Sequence, residues 1–110
     1  MVTKVTTGEQ RQQAALRRRS ISSRTSKASQ YEQLAEECME LASVCMKMAR
    51  KFRGESPTPE SFIDIRKQII EEYTDVRLVS DVCDIKLDMD LMVNKTNRWY
   101  ERLINQEQTC

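Results

Sequence analysis

The run "YEQLAEECMELASVCMKMARKF", Tyr31 to Phe52, decides the fold. Leu34, Cys38, Leu41, Cys45, Met48 and Phe52 recur in steps of 4-3-4-3-4, which places them on one face of an α-helix. No glycine or proline interrupts the run, and Gly54 follows it as a stop signal. The spacing predicts a helix from Gln30 to Arg53, with Ser29 as its N-cap.

On the C-terminal side, "GESPTPE" is a connector, and Ser56 to Glu60 resembles a helix start with proline before the new helix. A second helix is predicted from Pro59 to Cys83, with Phe62, Ile65, Ile69, Tyr73, Val76, Ser80 and Cys83 on one face. After the break "CDIKLD", a third runs from Asp88 to Asn105, with Met89, Met92, Thr96, Trp99 and Leu103 in line. That line makes core packing the better expectation for Trp99 than stacking on a base. On the N-terminal side, residues 1–29 are rich in Ser, Thr, Gln and Arg. They predict a short helix from Glu9 to Arg19 and then a linker, "SISSRTSKAS".

With 2 Gly and 2 Pro in 110 residues, the chain has few breakers and little room for a hairpin-rich β fold. The expected class is all-α, a helical bundle of three to four helices. Residues 1–29 form a basic, partly flexible arm and residues 30–110 the helical domain. Three amphipathic helices of this length enclose little core by themselves, so completion by a second copy is expected, as a homodimer or homotetramer. A compact monomer using the N-terminal helix as its fourth member is the other arrangement.

Charge is unevenly spread. Residues 1–30 hold seven Lys/Arg and one Glu, while residues 31–110 hold eleven Lys/Arg and sixteen Asp/Glu. No apolar run reaches the ~18 residues of a membrane span, and the first twenty residues lack the apolar core of a secretory signal. Four cysteines occur without histidine and without CxxC, and Cys38 and Cys45 lie roughly 10 Å apart along one helix, too far for a disulfide. Buried free thiols in a reducing cytosol, and hence a cytoplasmic location, are expected. A zinc site is not.

The carboxylates are the chemistry. Glu37 lies about 60° from the centre of the first stripe and Glu40 further round, one turn apart. Glu72 lies about 60° from the centre of the second stripe and Asp75 about 120°. Glu36 and Glu71 project toward water. Four acids at the edges of packed helices repel one another, so either cations lie among them or they point apart into solvent. Hard oxygen ligands without His or Cys suit Mg²⁺ or Mn²⁺. Lys47 and Lys51 continue the acidic strip of the first helix, and Lys95, Arg98 and Arg102 form a strip on the third. A divalent ion with Lys and Arg nearby is what a polyphosphate requires.

"EECME" (Glu36 to Glu40), then "EYTDV" (Glu72 to Val76), then "NKTNRWYERL" (Asn94 to Leu103) resembles the MazG-like all-α nucleoside triphosphate pyrophosphohydrolases, especially the small phage and prophage type. The resemblance covers residues 31–103, with a spacer between the two acidic motifs slightly longer than usual. It implies an oligomeric helical bundle that hydrolyses a (deoxy)nucleoside triphosphate to the monophosphate and pyrophosphate with Mg²⁺. By position, Glu37, Glu40, Glu72 and Asp75 would be the metal ligands. Glu37 or Glu40 would act as the base for a water attacking the α-phosphorus. Lys47, Lys51, Asn94, Lys95, Asn97 and Arg98 are the expected substrate contacts. The competing expectation is a non-catalytic helical assembly protein, with nucleic-acid contact through the basic arm as an accessory role. The arm lacks aromatics and the rest of the chain is acidic, so nucleic acid is not the expected main partner, and neither is a membrane.

Overall fold

The computed structural model describes residues 3–55 and 57–109. The fold is all-α, a four-helix bundle: α1 Gly8–Arg24, α2 Lys27–Arg53, α3 Phe62–Val82 and α4 Met89–Thr109. No strand occurs among the described residues, and no helix is long and apolar enough to cross a membrane. Ser56, part of the expected start signal, and Cys110 lie outside the described residues.

Each helix boundary has a local cause. Thr7 caps α1 in a reciprocal box, its hydroxyl accepting from Gln10 N while its own N–H donates to the Gln10 side chain. Ser26, rather than Ser29, caps α2 by accepting from Ser29 N. Gly54 ends α2 in the left-handed region at φ 69°, where a side chain would be strained. Ser61 caps α3 by accepting from Asp64 N, and Asp88 accepts from Leu91 N at the start of α4. After α3 the chain turns through Asp84 at φ 57°, a conformation that aspartate tolerates better than most residues.

α1 is longer than the sequence predicts. The stretch expected as linker is helical to Arg24, and only Thr25 and Ser26 separate α1 from α2. Gln30 holds that corner. It is 3% exposed, and its amide donates to Ser22 O, Thr25 O and the Thr25 hydroxyl.

α2 and α3 form the packed pair, and α1 rests more lightly on α3. The face of α2 that is covered is offset by one residue from the predicted stripe. Gln30, Leu34, Glu37, Leu41, Val44, Met48 and Lys51 are buried or half-buried at steps of 4-3-4-3-4-3. Cys38, Cys45 and Phe52 of the predicted stripe are exposed instead. In α3 the covered positions are Ile65, Gln68, Glu72, Asp75, Val79 and Val82, accompanied by Ile69, Val76 and Cys83. Phe62 and Tyr73 stay about half exposed. Phe52 meets Phe62 at the end of the pair, ring centroids 4.6 Å apart, with Lys51 Nζ 4.9 Å from the Phe62 ring.

The fully closed core is small: Ile65, Val79, Val82 and Cys83 are its only buried apolar side chains among the described residues. α4 makes almost no contact with the other helices. Its predicted line, Met89, Met92, Thr96, Trp99 and Leu103, faces solvent, and Trp99 is 70% exposed rather than packed in a core. The radius of gyration is 18.2 Å, against about 13 Å for a compact chain of this length.

Candidate metal centre

The one-residue offset in α2 is what builds the site. It replaces Cys38 with Glu37 in the seam between Leu34 and Leu41. In α3 the same 3-4 spacing brings Glu72 into the seam between Gln68 and Asp75. The helices face each other there, so two glutamates that the sequence places at stripe edges meet across the contact. Glu40, one turn after Glu37, joins from the rim and is exposed. One carboxylate oxygen from each of Glu37, Glu40 and Glu72 lies within 4.8 Å of the other two. Asp75, the fourth expected ligand, is half-buried one turn beyond Glu72 and lies outside that trio.

The hydrogen-bond inventory marks these groups as unfinished. Gln33 Nε2 donates to Glu37 Oε1 at 2.8 Å, an i,i+4 contact that fixes the rotamer. Glu37 Oε2 and Glu72 Oε2 are both buried and have no donor. A buried polar atom without a partner is uncommon because it keeps its desolvation cost with no compensating bond. Carboxylates with oxygens within 4.8 Å of one another also repel, by on the order of 3 kcal/mol per pair at an effective dielectric of ~20. A divalent cation among the three glutamates would answer both costs. The donor set is all oxygen, the choice of Mg²⁺, Mn²⁺ or Ca²⁺ over softer metals. The three oxygens, within 4.8 Å of one another, would have to close further around an ion, which glutamate side chains can do by rotation. The residues present therefore fit such an ion.

The basic residues divide into two groups. Lys47 and Lys51 hold the connector between α2 and α3. Lys47 Nζ donates to Glu60 Oε1 at 2.9 Å and to Gln68 Oε1 at 3.1 Å, and Lys51 Nζ donates to Thr58 O at 3.2 Å. Gln68 also donates to Glu60. The hydrogen bond from Lys47, then that from Gln68, holds the Glu60 carboxyl below its ordinary 4.5. Glu60, Gln68 and Gln33 escaped the sequence reading. Gln33 had a legible signal, its i,i+4 spacing to Glu37, whereas Glu60 reaches Lys47 only once the connector has folded back.

The second group belongs to α4. Asn94, Asn97 and Arg98 share one open side of α4 with Leu91 and Glu101. Lys95 lines a neighbouring, more apolar groove with Met92 and Trp99. Neither surface includes any of the four carboxylates. Comparison with family models, with curated proteins and with solved structures gives no match, so the site rests on its own geometry.

Proposed function

We propose that the chain is a divalent-cation-dependent pyrophosphohydrolase of nucleoside triphosphates, producing a monophosphate and pyrophosphate. The observation that carries this reading is the glutamate trio across the α2–α3 seam, with two buried carboxylate oxygens that no donor satisfies. The order of the motifs and their resemblance to the MazG-like pyrophosphohydrolases give the reaction class. Glu37, Glu40 and Glu72 would hold the ion. When bound, the ion supplies positive charge for the phosphate oxygens and lowers the pKa of a coordinated water. Glu37 is oriented by Gln33, and Glu40 stands at the exposed rim where it can accept the proton of an attacking water. Lys95 and Arg98, which have no carboxylate partner among the described residues, are assigned to the phosphates, and Asn94 and Asn97 to sugar or base.

The same proposal makes the working form a homo-oligomer. Two helix faces are left without cover. One is the α4 line Met89, Met92, Trp99 and Leu103; the other is the α2 line Tyr31, Cys38, Cys45 and Phe52, interleaved with Ala35 and Ala42. A large-residue stripe and a small-residue stripe share heptad spacing, and a second copy presents both.

The deciding experiment is pyrophosphate release from each canonical and damaged dNTP with Mg²⁺, comparing the native chain with Glu40→Gln and Glu72→Gln. Turnover should fall by about 10²-fold or more in each variant. No release from any triphosphate, together with a melting curve indifferent to Mg²⁺ and Mn²⁺, would leave the assembly-protein alternative standing.

A further inference from the structure

α3 has a second face. Thr74, Arg77, Leu78 and Asp81 fall at 3-4 spacing on the side roughly opposite the seam that holds Glu72 and Val79. With Arg18 of α1 and Lys86 of the α3–α4 connector, they line a cleft of about 460 Å³. Three cationic side chains share this cleft with one acid. Asp81 is already taken, since Arg18 Nε donates to it. Arg77 has only a 3.5 Å contact to the Tyr73 hydroxyl and no carboxylate partner among the described residues. Lys86 lies 3.7 Å from Asp84, with both side chains about four-fifths exposed, a pairing that water weakens to little.

α1 adds positive charge beside it, with Arg11 and Arg18 on one helix face and Arg17 and Arg19 about 100° to either side. It carries Arg11, Arg17, Arg18, Arg19 and Arg24 against one acid, Glu9. None of its residues is fully buried, and only Ala14, Ala15, Arg18, Ser20 and Ser22 are half-covered. It is nonetheless a capped helix held in place at the Gln30 corner and at Asp81. Its 17 residues span ~25 Å, long enough to face several phosphates spaced 3.4 Å apart along a strand. No aromatic side chain lies on α1 or lines the cleft itself; the nearest is the exposed Trp99, in the adjoining groove that shares Arg77, Ile85, Lys86 and Leu87 with it.

We propose that α1 and the cleft behind α3 form a nucleic-acid-binding surface that grips the phosphate backbone without reading sequence, on the face of α3 turned away from the glutamates. A single free phosphate would need only the cleft. The length of the arginine-bearing helix is what favours a polymer. The inference does not depend on the hydrolase reading.

The test is anisotropy of a labelled DNA duplex and of a labelled RNA strand, titrated with the full chain. Binding is expected at about 50 mM salt and should weaken roughly 10²-fold by about 200 mM, as neutralising about four phosphates requires. Arg77→Ala with Lys86→Ala should weaken both probes and flatten the salt slope by about two. Arg17→Ala with Arg19→Ala should do the same. Arg77→Lys, which keeps the charge, should restore most of the affinity. Circular dichroism confirms that each variant is folded, and pyrophosphate release, if present, should be unchanged. Failure of both probes to bind at low salt overturns the proposal. So does binding that the cleft and helix variants leave intact, or a thermal shift with inorganic tripolyphosphate unaccompanied by binding of either polymer.

Discussion

The α2–α3 seam and the α4 stripe have the same helical spacing and opposite fates. The seam carries Glu37, Gln68, Glu72 and Asp75 among its aliphatics and is covered. The α4 stripe carries Met89, Met92, Trp99 and Leu103 and is exposed. The less apolar of the two stripes is the one the chain buries. Each is incomplete for its own reason: the seam encloses charge with no counter-charge, and the stripe offers greasy surface with nothing against it. Cover within one chain depends on which helix the connectors return to a given face, and hydrophobicity alone does not decide it. The eight-residue "GESPTPES" stretch, ending at the Ser61 cap, folds α3 back along α2, whereas the turn at Asp84 sends α4 away.

That contrast is open to attack at three depths of effect. Ile65 is fully buried in the seam, so Ile65→Ala should cost about 2–5 kcal/mol in denaturant unfolding. Trp99→Ala, truncating a larger side chain, should change the unfolding of dilute monomer far less and instead shift sedimentation toward smaller species. A native chain that sediments as a monomer at every concentration would undo the α4 half of the comparison.

A smaller effect comes from the buried acids. Without metal, Glu72→Gln removes one charge from a repelling trio, so it should raise the unfolding free energy in chelator, by at most about 3 kcal/mol less whatever water already screens. The same variant should lose any stabilisation that the native protein gains from Mg²⁺. Lower stability in chelator would mean that the carboxylate is satisfied as it stands.

The smallest effect is at Glu60. Its carboxyl is held below 4.5 by Lys47 and then Gln68, so its contribution is present above that value and lost as pH falls through the lower folded-state pKa. The difference in melting temperature between the native chain and Glu60→Gln should be constant near neutrality and close below pH 4.5. A difference that persists undiminished into stronger acid would assign the Lys47 contact no role in stability.

Much of this architecture was legible before the structure. The gap-free runs gave the helices of the packed pair and α4, because Gly54 and the two prolines punctuate them, although the caps, Ser26 and Ser61, were not the serines the sequence suggested. The acidic pairs were legible too, since ExxE and ExxD at one-turn spacing project on one side of a helix. What the sequence could not supply was a choice between two overlapping registers in α2. Cys38, Cys45 and Phe52 are more apolar than Glu37, Val44 and Lys51 taken together, so periodicity favours the former set, yet contact with α3 covers the latter. The far end of α1 was missed for a different reason. "SISS" has the composition of a loop, yet it is helical, and the Ser23 and Thr25 hydroxyls are turned back on Ser20 O and Ile21 O at the end of the helix. Asp75 shows the limit from the other side. Its spacing from Glu72 is right, but spacing fixes a direction along one helix and leaves the distance to its neighbour free.

The corner between α1 and α2 contains neither glycine nor proline; Thr25 and Ser26 sit in ordinary extended backbone. Nothing steric prevents the two helices from fusing into one straight rod. The bend is written in a few hydroxyls and one carboxamide, and a bend written that way can be erased by removing a few polar atoms. A chain that lost it would keep every helix and still swing its arginines off the body of the protein, parting Arg18 from Asp81.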